Sequence, residues 1–187
     1  MITAAPLPYS ESALEPWVSA ETMRLHYALY EGYIRRISHL GNDLGEALSA
    51  AVRNDSVPLI RDVRQAMNHE FLWASMEPSG GVPPSADILD LMEARWGSAG
   101  TFCAEFDATA RSLFGSGWAW VVVTPRGLEV RLTQGADQPT EPALLVLDMW
   151  EHAYVCQYGT YKGDYVDGFL RHHANWGVAQ RRLEALR

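Results

Sequence analysis

Apolar positions recur at three- and four-residue spacing near the start of the chain. After Ser19, the run through Leu25, Leu29, Tyr33, Ile37 and Leu40 follows the period of an amphipathic helix. This helix is expected to continue in pieces to about Val52, with interruptions at Gly41 and Gly45. Asn54-Asp55-Ser56 reads as a turn, and Pro58 suits the first turn of a second helix that ends near Ser75. Two helices joined in this way form an antiparallel hairpin. Glu77 to Pro84 (EPSGGVPP) is the clearest linker. Beyond it, Ala86 to Trp96 and Ser98 to Phe114 read as helices parted by Gly97. The period then changes from that of a helix to that of a strand. Trp118 to Thr124, Gly127 to Thr133 and Ala143 to Met149 are strand-like, and Pro125-Arg126-Gly127 is a tight turn between the first two. From about Tyr165 the pattern is helical again. The order predicts an α+β fold: an N-terminal arm and helical hairpin over 1–82, then an α/β lobe over 83–187.

Composition narrows the classes. The chain has 187 residues, 48% hydrophobic and 20% charged, which excludes disorder, collagen-like repeats and coiled coil as its main theme. A net charge of −8 argues against a nucleic-acid partner, which requires a basic face. No apolar run has transmembrane length and no basic segment precedes one. A soluble, cytoplasmic protein with no membrane partner is expected. Cys103 and Cys156 stand in no zinc-site spacing and read as reduced thiols.

Three of the six histidines have apolar-aromatic surroundings: His26, His69 and His152. Asp148 precedes His152 by four residues at the end of an apolar strand. Burying a carboxylate there is costly unless something cationic compensates it, and a metal ion does so. The residues alone leave two alternatives, a metal site or separate hydrogen-bonded core histidines. Three imidazoles and one carboxylate suit iron or manganese as well as zinc. His172-His173 reads as surface or interface. No GxSxG, P-loop, GxGxxG or HExxH motif competes.

Several segments together carry a resemblance. They are Leu7-Pro8-Tyr9, Leu14-Glu15-Pro16, Ser19 to Met23, Asn68-His69 with Trp73, Gly80-Gly81 and Gly97-Ser98. They continue with Phe114 to Trp120 (FGSGWAW), Asp148 to Tyr154 (DMWEHAY) and Asn175-Trp176. On these the chain resembles the iron/manganese superoxide dismutases nearly end to end. The implied fold is the helical hairpin followed by an α/β lobe with a three-stranded antiparallel sheet. The implied activity is conversion of superoxide to O2 and H2O2 by one-electron cycling of a mononuclear metal, one per chain. The resemblance implies the ligands His26, His69, Asp148 and His152, with Trp73, Trp118, Trp120 and Trp150 walling the pocket. Gln65, four residues before His69, is the iron-type choice for reaching metal-bound solvent, and Ala136 stands at the position where manganese types carry Gln. Iron is therefore favoured over manganese. Glu151 and Tyr154 are expected at a homodimer interface, with a tetramer as the other oligomer.

The chain departs from the family in its first helix. The family's gateway Tyr aligns with Ile34 and its neighbouring His with Tyr30, so that a one-residue shift in the helix gives Tyr33 the gateway role, and without it Tyr30 or no residue fills it. Seven residues return a helix to within ~20° of its starting face, whereas eight rotate it by ~80°. The family's Tyr after Tyr154 is Val155, and the first-helix Lys is Leu29. Lys162, the only lysine, stands where the family has an anion-guiding Arg. It keeps the charge but not the planar fork. An altered gate and funnel leave an alternative function, a metal-binding relative with low dismutase activity and another oxidative or structural role.

Overall fold

The computed structural model describes all 187 residues, Met1 to Arg187. Helix α1 spans Ala20–Ile37, and the Ser19 hydroxyl accepts from the Thr22 amide at 3.1 Å to cap it. The first helical stretch comes in two pieces with the break around Gly41, whereas Gly45, expected as a second interruption, lies inside the second piece. The chain leaves helical geometry after Ile37, and Asp43 caps a new helix, α2 (Leu44–Arg53), by accepting from the Glu46 amide at 2.8 Å. Helix α3 spans Val57–Ser75 with Pro58 in its first turn, and both α1 and α2 pack against it.

The linker leads into α4 (Ala86–Trp96), which ends at Gly97 in the left-handed region. Helix α5 (Ala99–Ser112) stops short of Phe114, whose ring is exposed. The sheet comprises β1 (Gly117–Thr124), β2 (Gly127–Gln134) and β3 (Ala143–Asp148) in the order β2-β1-β3, antiparallel throughout. As the central strand, β1 is buried from Gly117 to Val122. Its register sets Trp118 opposite Asp148. One apolar core runs through both halves of the chain, from Ile34 and Leu72 to Val146 and Phe169.

After β3 the chain makes a single tight turn over Glu151–Ala153, then α6 (Val155–Tyr158) and α7 (Lys162–Gly168). The expected C-terminal helix is broken: a wide turn over Phe169–His173 separates α7 from α8 (Trp176–Glu184). The N-terminal arm is tied to this region. The Trp17 indole donates to Tyr165 O at 2.7 Å, and the Tyr158 hydroxyl donates to Trp17 O at 2.7 Å.

Candidate metal centre

Four side chains from three parts of the fold converge. His26 comes from the middle of α1 and His69 from the middle of α3. Asp148 ends β3, and His152 lies in the turn that follows. One ligand atom from each lies within 4.8 Å of all the others. The Asp148 Oδ2 atom is 3.1 Å from His26 Nε2, 3.2 Å from His152 Nε2 and 3.9 Å from His69 Nε2. His26, His69 and Asp148 are buried, whereas the His152 side chain is 23% exposed.

Local bonds aim these atoms inward. The His69 Nδ1 atom lies 2.6 Å from the Gln65 carbonyl, which fixes the proton on Nδ1 and leaves a lone pair on Nε2. Asp148 Oδ1 accepts from the Trp150 amide at 2.7 Å, which frees Oδ2 for the cluster. His26 Nε2 is close to Asp148 but not aligned for a hydrogen bond, and His69 Nε2 likewise has no partner. Two buried imidazole nitrogens without partners are costly in a folded protein, and a metal ion satisfies both. Three imidazoles with a carboxylate fit iron or manganese.

The electrostatics keep His26, His69 and Asp148 in their ligating forms. Burial, reinforced by the neighbouring His26, pushes the His69 imidazole down to about 3. Burial also lowers His26, against the pull of Asp148. For Asp148 burial acts upward, yet His152 and His26 outweigh it and hold the carboxyl well below the usual range. Near neutral pH, proton competition for these sites is therefore weak.

An aromatic shell surrounds the cluster. Trp73 packs edge-on to His26 at 4.9 Å, Trp118 edge-on to His69 at 5.2 Å, and Trp150 lies 5.8 Å from His152. Both Trp118 and Trp150 donate their indole N–H to the Gly135 carbonyl, at 3.0 and 3.2 Å. Gly135 holds a φ of 55°, a conformation that disfavours side chains. Trp120 lies two residues beyond Trp118 on the same face of β1, where it packs on Trp118 and Phe71. Gln65 is buried, one turn before His69, and neither side-chain atom has a partner within the chain. Ala136 is buried, and Gln138 instead donates to Asn68 at 2.8 Å.

The first helix places Tyr30 and Tyr33 differently. Because α1 is regular, Tyr33 shares a face with His26, and its ring sits 5.6 Å from His69. Ile34 turns into the core. Tyr30 also stacks near His69, at 6.1 Å, but its hydroxyl accepts from the Ala5 amide at 2.8 Å and donates to Glu70 at 2.7 Å. Tyr30 thus ties the arm to α3.

Lys162, Tyr154 and Glu151 lie outside the cluster. Lys162 donates to Leu113 O at 3.3 Å and lines a cavity of about 340 Å³ with Arg111, Thr160 and Asp164, which none of the four cluster residues enters. Tyr154 is buried against Tyr165 within the same protomer, and Glu151 is exposed. The sequence reading missed Glu70 and the pair Arg36–Asp62, which bridges α1 and α3 at 2.6 Å. A readable signal for the latter was an acid in the first turns of α3 with an arginine three residues after Tyr33.

Comparison with known proteins points the same way. Residues 3–77 match the model of the iron/manganese superoxide dismutase alpha-hairpin domain, and residues 84–182 match that of the C-terminal domain. The chain is 34% identical to the Mn/Fe superoxide dismutase of Rickettsia bellii, covering 95% of this chain and 90% of that one. It is 35% identical to the chloroplastic Fe superoxide dismutase 1 of Arabidopsis thaliana, over 96% and 91% of the two chains. It is 34% identical to the Mn superoxide dismutase of Listeria innocua, over 96% of both. Matches that run through both lobes and include the converging histidines and aspartate leave one assignment: the chain belongs to the iron/manganese superoxide dismutase family.

Proposed function

We propose that this protein is a superoxide dismutase, converting two superoxide ions and two protons into O2 and H2O2 at one iron or manganese ion per chain. The observation that carries this is the convergence of His26, His69, Asp148 and His152 inside an aromatic shell. A bound metal supplies the one-electron oxidation and reduction of successive superoxide ions. The protein's own contribution is the surrounding order. Trp150 and Gln65 orient Asp148 and His69 through their backbone groups. The Gln65 amide, buried and without a partner in the chain, is free to hydrogen-bond solvent at the metal. Tyr33 lies against His69 at the half-buried side of the cluster and serves as the gateway residue.

Iron is the preferred metal, because Gln65 approaches from α3 while Ala136 offers nothing from the loop after β2. The protein works as a homodimer in the cytoplasm. The exposed Glu151 beside His152, with the exposed Val155 after it, supports an interface on this side. The 1–82 and 83–187 segments act as the two lobes, each supplying two of the four ligands.

The test is dismutation by the purified protein loaded separately with iron and with manganese, alongside elemental analysis. Higher activity with iron is expected, and His152→Ala should lose both metal and activity. A fully metallated protein inactive with both ions overturns the proposal.

A further inference from the structure

Superoxide is an anion, and this chain carries a net charge of −8. Long-range repulsion therefore has to be offset near the metal centre. The family's two cationic positions are altered or bonded elsewhere here. Position 29 is Leu, and the Lys162 amine is bound to Leu113 O in a separate cavity.

A different cationic group sits beside the gateway. The Arg36 guanidinium lies over the Tyr33 ring, 4.9 Å from its centroid, and that ring packs on His69. Arg36 holds Asp62 through two bonds, at 2.6 and 3.3 Å. Asp62 also has Arg61 at 3.7 Å. Two cations against one carboxylate leave this group with a charge of +1. Other arginines nearby are matched singly by acids, Arg35 by Glu31 and Arg64 by Asp137. Asp62 is buried while the Arg36 side chain is 51% exposed, so the surplus positive charge faces solvent. The bidentate fork and the ring beneath hold it in place.

We propose that Arg36, anchored by Asp62 and backed by Arg61, is the steering cation of this enzyme, drawing superoxide toward Tyr33 and the metal. This rests on the dismutase reading. It makes Arg36 a positioning residue that acts through its charge.

The test uses the iron-loaded protein and varies only the local charge: Arg36→Gln, Asp62→Asn, the double variant, and Arg36→Lys. At low ionic strength, about 10 mM, kcat/KM should fall about threefold to tenfold in Arg36→Gln and rise by a similar factor in Asp62→Asn. The double variant restores the +1 charge and should return toward the parent value, as should Arg36→Lys. All differences should shrink to below about twofold at 0.15 M salt. Azide affinity, read by absorbance titration of the same iron-loaded proteins, should follow the same order. A purely structural role predicts losses in both Arg36→Gln and Asp62→Asn that salt does not change, and that result overturns the proposal. If the parent protein fails to dismute superoxide but azide affinity keeps the order, the dismutase reading falls and the charge assignment stands. If azide affinity is the same in all variants, the charge assignment falls.

Discussion

Tyr30 and Tyr33 stand three residues apart on one helix and both touch His69, yet their hydroxyls do different work. The Tyr30 hydroxyl is spent on Ala5 and Glu70. Removing it strands a backbone amide and a carboxylate in a half-buried setting. Tyr30→Phe should therefore cost about 1–3 kcal/mol in urea unfolding and leave dismutation nearly unchanged. Tyr33→Phe should show the reverse, with kcat reduced and the unfolding midpoint within experimental scatter of the parent. Equal effects of both substitutions on rate would contradict the separation of roles. Gln65 belongs to the same scale. Its amide has no partner in the chain, so Gln65→Leu should leave the metal-free fold intact while lowering activity of the loaded protein several-fold.

At the scale of elements, the ligands are only as ordered as the helices and strand that carry them. Ser19 caps α1, and Ser19→Ala should cost about 1 kcal/mol, measured by thermal unfolding. The more demanding joint lies where α3, α8 and β3 meet. The Ser75 hydroxyl donates to Phe71 O at 2.7 Å and accepts from the Val146 amide at 3.3 Å. Arg182 donates to Leu144 O at 2.7 Å, and its guanidinium lies 3.4 Å from the Phe71 ring centroid. Burial lowers this guanidinium to about 10, with Arg181 adding to the effect, so it remains charged at neutral pH. Arg182→Ala removes a donor to β3 and the packing of the long stem together, and should destabilise the fold by about 3 kcal/mol.

For the whole molecule, pH and metal set the stability. His173 is buried, stacked on Trp17 at 4.8 Å, and burial lowers its imidazole although the Glu77 carbonyl pulls upward. Its folded form therefore takes up a proton less readily than the unfolded chain, whose histidines titrate near 6.5. Above that pH both states are neutral at this site and the shift has no effect on stability. As pH falls below about 6.5, the unfolded state binds the proton first and stability is lost. His173→Gln should flatten the dependence of the urea midpoint on pH in this range. Metal removal acts on the same balance. An ion bound only by the folded chain stabilises it, so the metal-free protein should melt at a lower temperature and recover on reloading.

Local chemistry and tertiary structure divided the information between them. Periodicity in the sequence located α3, α4 and the three strands nearly to the residue, because helix and strand periods differ and the Gly and Pro breaks are sharp. The motif around Asp148 and His152 gave two ligands, because their spacing of four survives any packing. Other features needed the third dimension. The wide turn at Phe169–His173 carries no Gly or Pro break of its own to mark it. The division between Tyr30 and Tyr33 required knowing that Ala5 and Glu70 meet one hydroxyl and not the other. That the Lys162 amine reaches the Leu113 carbonyl was likewise decided by packing, because sequence position does not fix which carbonyl an amine meets. The surplus charge at Arg36 exists only because α1 and α3 pack side by side and bring Asp62 between two arginines, a contact across 26 residues of chain.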